Sequence, residues 1–137
     1  MSQPSKTTRD GRPLSIEEVA DAVGVYPVEA YEFVQRGLQF TVARIHGSGK
    51  PGKGKGHVSG QQLAQGLRDY AQLQWGLMAA AVLTNWNITA TYDFGRIVFA
   101  LVEGGILHKT DQDNIDDFRN VYDFSSMRGS YRIESKL

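Results

Sequence analysis

The chain has 137 residues, with 15 Lys+Arg against 15 Asp+Glu, a formal net charge of zero and no cysteine. Its 41% hydrophobic and 22% charged residues are ordinary globular values, which exclude wholesale disorder and a uniformly basic nucleic-acid binder. The lack of cysteine excludes a disulfide framework, a thiolate metal site and a Cys nucleophile, and it fits a reducing cytosol.

Residues 1–13 are polar, lack the apolar segment of a signal peptide, and predict a flexible tail. A single helical domain is expected over 14–124. Ser15 with Glu18 spells a capping box, so a short helix should run from Ile16 to about Val23, where Gly24 stops it. Pro27 suits the first turn of a second helix, in which Ala30, Val34, Leu38, Val42 and Ile45 share one face. Gly37 interrupts that helix at a cost of about 1 kcal/mol relative to Ala. The stretch GSGKPGKGKG, 47–56, is too rich in glycine for helix or strand and predicts a flexible loop.

Ser59 with Gln62 makes a second capping box. A long helix is expected from there to Asn85–Asn87, with Leu63, Leu67, Tyr70, Leu77 and Ala81 on its core face. From Trp75 to Leu83 it is apolar nearly all round, which predicts burial on several sides at the centre of the fold. The near-apolar run Gly76–Leu83 falls well short of the roughly 20 residues that cross a bilayer, so no membrane span is expected. Thr91 is the expected cap of a further helix, with Asp93 in its first turn and Phe94, Ile97, Val98 and Leu101 turned inward; Gly104 and Gly105 end it. Ile106 to Lys109 reads as briefly extended. Thr110 with Asp113 resembles an N-cap before a short acidic helix, Asp111 to about Asn120, whose Phe118, Val121, Tyr122 and Phe124 seal against the core. Residues 125–137 read as a tail with at most an edge strand at Tyr131–Ile133. The fold class is therefore mainly α: a compact helical bundle around a long central helix, with a minor β element near Ile106 or the C-terminus.

Five blocks stand together: AYEFV (Ala30 to Val34), HVSGQQL (His57 to Leu63), GLRDYA (Gly66 to Ala71), DFGRIVFALVE (Asp93 to Glu103) and KTDQDNIDDF…VYDF (Lys109 to Phe124). In order and spacing they resemble a small family of conserved hypothetical bacterial proteins, largely restricted to planctomycete and verrucomicrobial lineages. The resemblance covers Pro27 to Phe124. It implies a compact domain of bacterial cytosolic origin and carries over no catalytic residue, ligand or cofactor. The Gly/Lys loop and both tails look like local elaborations around the shared blocks.

The Gly/Lys loop is the sharpest chemical feature. Gly47 and Gly52-Lys53 give G-x-x-x-x-G-K, but Gly54 stands where a P-loop needs Ser or Thr, and a helix precedes the loop where a strand is required. Phosphate contact is a looser reading. Between Phe33 and Gln65 there is no acid, while Arg44, Lys50, Lys53, Lys55 and His57 gather a phosphate-binding or RNA-backbone candidate. The bland alternative is a solvated loop, and no aromatic residue interleaves there for base stacking.

Val19, Ala20, Val23, Gly24, Val25, Ala30 and Phe33 have helix-turn-helix spacing, but Glu29 and Glu32 would face the phosphates, so a packed helical hairpin is the better reading. Asp111, Asp113, Asp116 and Asp117 fail the EF-hand pattern at its Gly and Glu positions, and no metal is expected. His46, His57 and His108 have no ligand partner at helical spacing. Asp93-Phe94-Gly95 matches a kinase tripeptide by chance, in a chain without the other kinase motifs. Arg68 with Asp69, and Arg96 with Glu103, are candidate structural ion pairs. Acid over 111–123 and base in mid-chain make the molecule dipolar, a pattern that steers partners. Two Trp and twelve Tyr+Phe supply anchors for a core or an interface.

No catalytic residue, metal or cofactor is assigned. The leading expectation is a cytoplasmic, non-enzymatic protein-interaction or regulatory module with an unknown protein partner. The alternatives are nucleic-acid binding through the basic loop, and a small enzyme whose site only the fold reveals.

Overall fold

The computed structural model describes residues 1–2, 14–47, 56–125 and 127. In chain order the elements are α1 (Ile16–Val23), α2 (Val28–His46), α3 (Gly60–Trp75), a 3-10 turn (Gly76–Met78), α4 (Ala79–Asn85), α5 (Thr91–Glu103) and a second 3-10 turn (Ile115–Phe118). Among the described residues there is no strand, and Ser2 and His108 form an isolated antiparallel bridge. The fold is mainly α, as expected.

Both capping boxes form. Ser15 accepts from the Glu18 amide while Glu18 accepts from the Ser15 amide, and Ser59 and Gln62 do the same for α3. Gly24 ends α1 with φ 75°, a left-handed turn that suits glycine. Pro27 sits at the N-cap of α2.

Side-chain-free positions let the layers close. A Cβ at Gly66 of α3 would collide with the Thr41 hydroxyl of α2, and one at Gly37 of α2 with the Leu67 side chain of α3. The glycine that interrupts α2 is therefore where α3 crosses closely. The second 3-10 turn carries Phe118 into a slot between α3 and α5. A Cβ at Gly60 would lie 3.1 Å from Phe118 Cε2, and one at Gly95 2.8 Å from Phe118 Cδ2. Tyr31, Leu38, Leu63, Leu67, Leu83, Phe94, Ile97, Leu101 and Phe118 fill the core. Val121, Tyr122 and Phe124 pack against it as expected.

The expected long helix is broken. At Gly76 the backbone takes φ 55°, ψ −127°, the helix path is lost, and α4 restarts at Ala79 after one 3-10 turn. The expected core face is right for Leu63 and Leu67, but Leu77 and Ala81 are exposed, because the break re-aims every side chain after Trp75. Thr91 is not the cap of α5. The cap is Ala90, and Asp93 reaches back to accept from the amides of Thr89 and Ala90 at 2.9 and 3.2 Å. Thr91 is thereby free to donate its hydroxyl to the Phe118 carbonyl and to accept from the Val121 amide, tying the second 3-10 turn to α5.

The expected acidic helix shrinks to Ile115–Phe118 and starts from Asn114. Its short polar side chains bond neighbouring amides instead: Asp113 accepts from Thr110, Asn114 from Asp116 and Asp117 from Asn114. Arg68 pairs with Asp69 at 3.3 Å, whereas Arg96 lies 3.9 Å from Asp93 and is not paired with Glu103. Met1 and Ser2 are docked, unlike the solvated tail expected of them. Met1 is buried, its ammonium donating to the Val58 carbonyl at 2.8 Å and to Asp113 at 3.3 Å. Met127 is also buried, and its carbonyl accepts from Gln72. The rest of both expected tails, the edge strand at 131–133 and residues 48–55 of the Gly/Lys loop lie outside the described residues.

Candidate functional site

Of the five residues expected to meet a phosphate chain, Lys50, Lys53 and Lys55 lie outside the described residues. Arg44, in the last turn of α2, is 2.7 Å from Asp69 and its guanidinium stands 5.0 Å over the Phe40 ring. The His57 carbonyl lies 2.6 Å from His46 Nε2, a contact that closes the base of the Gly/Lys loop. Its ring Nδ1 is buried without a partner. Burial, and then the Met1 ammonium, hold the His57 imidazole below its ordinary value of 6.5. Arg44 thus has a carboxylate partner at the surface, and burial disfavours the charged form of the His57 imidazole.

A different site emerges at the α3–α4 break. Glu29, Glu32, Phe33 and Arg36 recur at helical spacing and form one stripe of α2. Tyr70, Gln74 and Trp75 come from the end of α3, and Trp86 from the end of α4. Together these side chains line a cleft of about 220 Å³. Phe33 is buried and makes the floor, its ring centroid 5.6 Å from Tyr70, 5.3 Å from Trp75 and 5.9 Å from Trp86. The two indoles meet edge to face at 83°, with centroids 5.5 Å apart, and form a corner above that floor. The Gly76 turn sets this corner, because it folds α4 back and returns Trp86 to Trp75.

The cleft has two distinguishable ends. Asn87, at φ 68°, donates from Nδ2 to the Val25 carbonyl and so pins Trp86 beside the N-terminus of α2, where Glu29 lies. Tyr70 packs against Phe40 with the rings tilted by 39° and marks the Arg36 end. Among the described residues Glu29, Glu32 and Arg36 make no ion pair. Beside Trp75 in the chain, Leu73, Leu77 and Met78 are 70%, 62% and 60% exposed.

The sequence reading missed this site because it assigned the whole Trp75–Leu83 run to the core. Two signals for it were present: a glycine inside that run, and charges on the same α2 face as Phe33.

A second, more open groove runs over the α1–α2 turn between Glu17, Asp21 and Tyr26. The Tyr26 phenol donates to Asp93 at 2.5 Å, and burial together with that carboxylate pushes its pKa well up. Burial does the same to Tyr122, which donates to the Ala64 carbonyl at 2.7 Å. Both phenols are occupied with holding elements together. No helix of the described residues is long and apolar enough to cross a membrane. Comparison with protein families, with curated proteins and with solved structures gave no match.

Proposed function

We propose that this protein is a non-enzymatic protein-interaction module whose contact surface is the α3–α4 joint. The observation that carries this reading is the exposure of Leu73, Leu77 and Met78 around the half-buried Trp75 and Trp86. Scattered exposed apolar residues are ordinary, whereas a run of large ones beside an aromatic cleft is the composition of an interface centre. The two most perturbed phenols, Tyr26 and Tyr122, serve structural hydrogen bonds, which agrees with a role other than catalysis. The family resemblance and the cysteine-free chain favour a bacterial cytoplasmic setting for this module.

The test is a photo-reactive side chain at position 77 in the native host. It should cross-link one defined protein after nuclease treatment, and Leu77→Glu with Met78→Glu should abolish that protein's capture. Cross-links to nucleic acid alone, or a partner unaffected by the double substitution, would refute the reading.

A further inference from the structure

We infer that the cleft between α2 and the α3–α4 joint is a cation site that takes the ammonium head of a lysine-type side chain, methylated or not, from a partner polypeptide. The inference rests on the interaction reading above and names the chemistry that this surface recognises.

The first argument is the wall material. A cation is attracted to the face of an aromatic ring within about 6 Å of its centroid, most strongly by Trp. Here two indoles stand at 83° over a phenyl floor, with Tyr70 alongside. A tetrahedral ammonium seated in such a corner meets more than one ring at once. Elsewhere in the described residues the protein already supplies cations to its aromatic faces. Arg44 lies over Phe40, Arg68 over Tyr122, Arg96 over Tyr26 and Arg119 over Tyr92. The Phe33, Trp75 and Trp86 rings carry no such cation among the described residues, although Arg36 lines the same cleft.

The second argument is charge. Two carboxylates, Glu29 and Glu32, line the cleft without an ion pair among the described residues, against the single guanidinium of Arg36. The lining is therefore net negative. Its acidic end is the Trp86 end, because Asn87 ties that corner to Val25 just before α2. An ammonium there has a carboxylate on one side and an indole on another, while Arg36 lies about two turns along α2. The same asymmetry disfavours an anionic guest.

The third argument is size and surroundings. Pockets for whole small-molecule ligands span about 300–1,000 Å³, and this cleft holds about 220 Å³. It suits one side-chain head. The exposed Leu73, Leu77 and Met78 next to Trp75 offer apolar surface for the rest of a polypeptide.

The test uses small probes and needs no partner. N-acetyl-lysine methylamide and its Nε-trimethyl form would be titrated against the full chain by indole fluorescence, beside the neutral N-acetyl-norleucine methylamide and tetramethylammonium chloride. At least one lysine form should bind saturably and about tenfold more tightly than norleucine. Glu29→Gln with Glu32→Gln, at half-exposed or exposed positions where the fold is indifferent, should weaken it about tenfold with an unchanged far-UV spectrum. Trp86→Ala should abolish binding.

Equal binding of norleucine would overturn the inference in favour of a plain apolar groove. No saturable change with either lysine form would overturn it outright. Binding of tetramethylammonium alone would overturn the polypeptide source and assign the site to a free ammonium compound. A cross-linked partner at position 77 with inert lysine probes refutes this inference and spares the interaction reading, whereas lysine probes that bind with no cross-linked partner refute the interaction reading and, with it, the polypeptide source of the cation.

Discussion

Gly95→Ala tests how the second 3-10 turn is locked into the bundle. In an exposed helix this change stabilises by about 1 kcal/mol, because alanine loses less backbone entropy. Gly95 lies inside α5, but its new Cβ would sit 2.8, 2.9 and 3.0 Å from Cδ2, Cγ and Cβ of Phe118. The Cβ of Phe118 is fixed by its backbone, so no change of rotamer clears all three contacts. Behind the ring stands Gly60, where there is no slack either. Overpacking of this kind costs about 1–3 kcal/mol. Set against the helix gain, Gly95→Ala should cost about 1 kcal/mol in the wild-type background. Phe118→Ala alone should cost about 3–5 kcal/mol as a large-to-small change at a fully buried site. In that background the two ring contacts are gone and only the Cβ contact at 3.0 Å remains, beside a cavity into which it can relax, so Gly95→Ala should now cost nothing or stabilise by up to about 1 kcal/mol. The assay is urea unfolding of the four proteins, followed by far-UV circular dichroism, with the slope checked for constancy. The double-mutant cycle should give a coupling of about 1–2 kcal/mol. A gain from Gly95→Ala in the wild type, or the same cost in both backgrounds, would refute the slot.

Three further outcomes are expected. Gly76→Ala forces a side chain into φ 55°, ψ −127°, so it should cost at least about 1 kcal/mol in urea unfolding and weaken lysine-probe binding, because the Trp75–Trp86 corner depends on that turn. Probe binding and stability both left unchanged would contradict this. Tyr31→Phe removes a fully buried hydroxyl without a hydrogen-bond partner and should be neutral or stabilising by up to about 1 kcal/mol, the melting temperature being the readout; a marked loss would mean that the hydroxyl is satisfied in solution. His57 has a folded-state value lowered from 6.5, so below that value the unfolded chain binds more protons. Its contribution is fully present above 6.5 and is lost as pH falls through that value toward the folded one. Wild type should therefore lose more stability between about pH 7.5 and about pH 5.5 than His57→Gln does, and equal slopes would refute the assignment.

The local grammar of this chain is legible in its residues alone. Ser15/Glu18 and Ser59/Gln62 announce two helix starts, Gly24 one helix end, the α5 stripe its inward face and the α2 stripe its inward face as far as Leu38, because caps and periodicity act within a few residues and need no distant partner; Ile45, at the end of the expected α2 stripe, is exposed where that helix runs past the bundle. Competition between local signals is not legible in the same way. Thr91 looks like the cap of α5, yet Asp93 reaches back to serve that helix start, and the Phe118 carbonyl and the Val121 amide claim the Thr91 hydroxyl from 27 and 30 residues away. Thr110 and Asp113 promise a helix, but Asp113 instead meets the Met1 ammonium from across the fold.

The candidate site shows the same division most clearly. Composition establishes that Trp75 to Leu83 is apolar, and an apolar run is equally suited to a core helix or to an exposed docking face. Only the turn at Gly76 decides between them, placing Ala79, Ala80 and Leu83 inside and Leu77 and Met78 outside. Likewise Glu29, Glu32 and Arg36 are an ordinary solvated stripe until the returning chain sets Trp86 and Trp75 beside them. Hydrophobic patterning specifies that such surface is to be covered; what covers it depends on chain path and on which layers close, and those are set by contacts far apart in sequence.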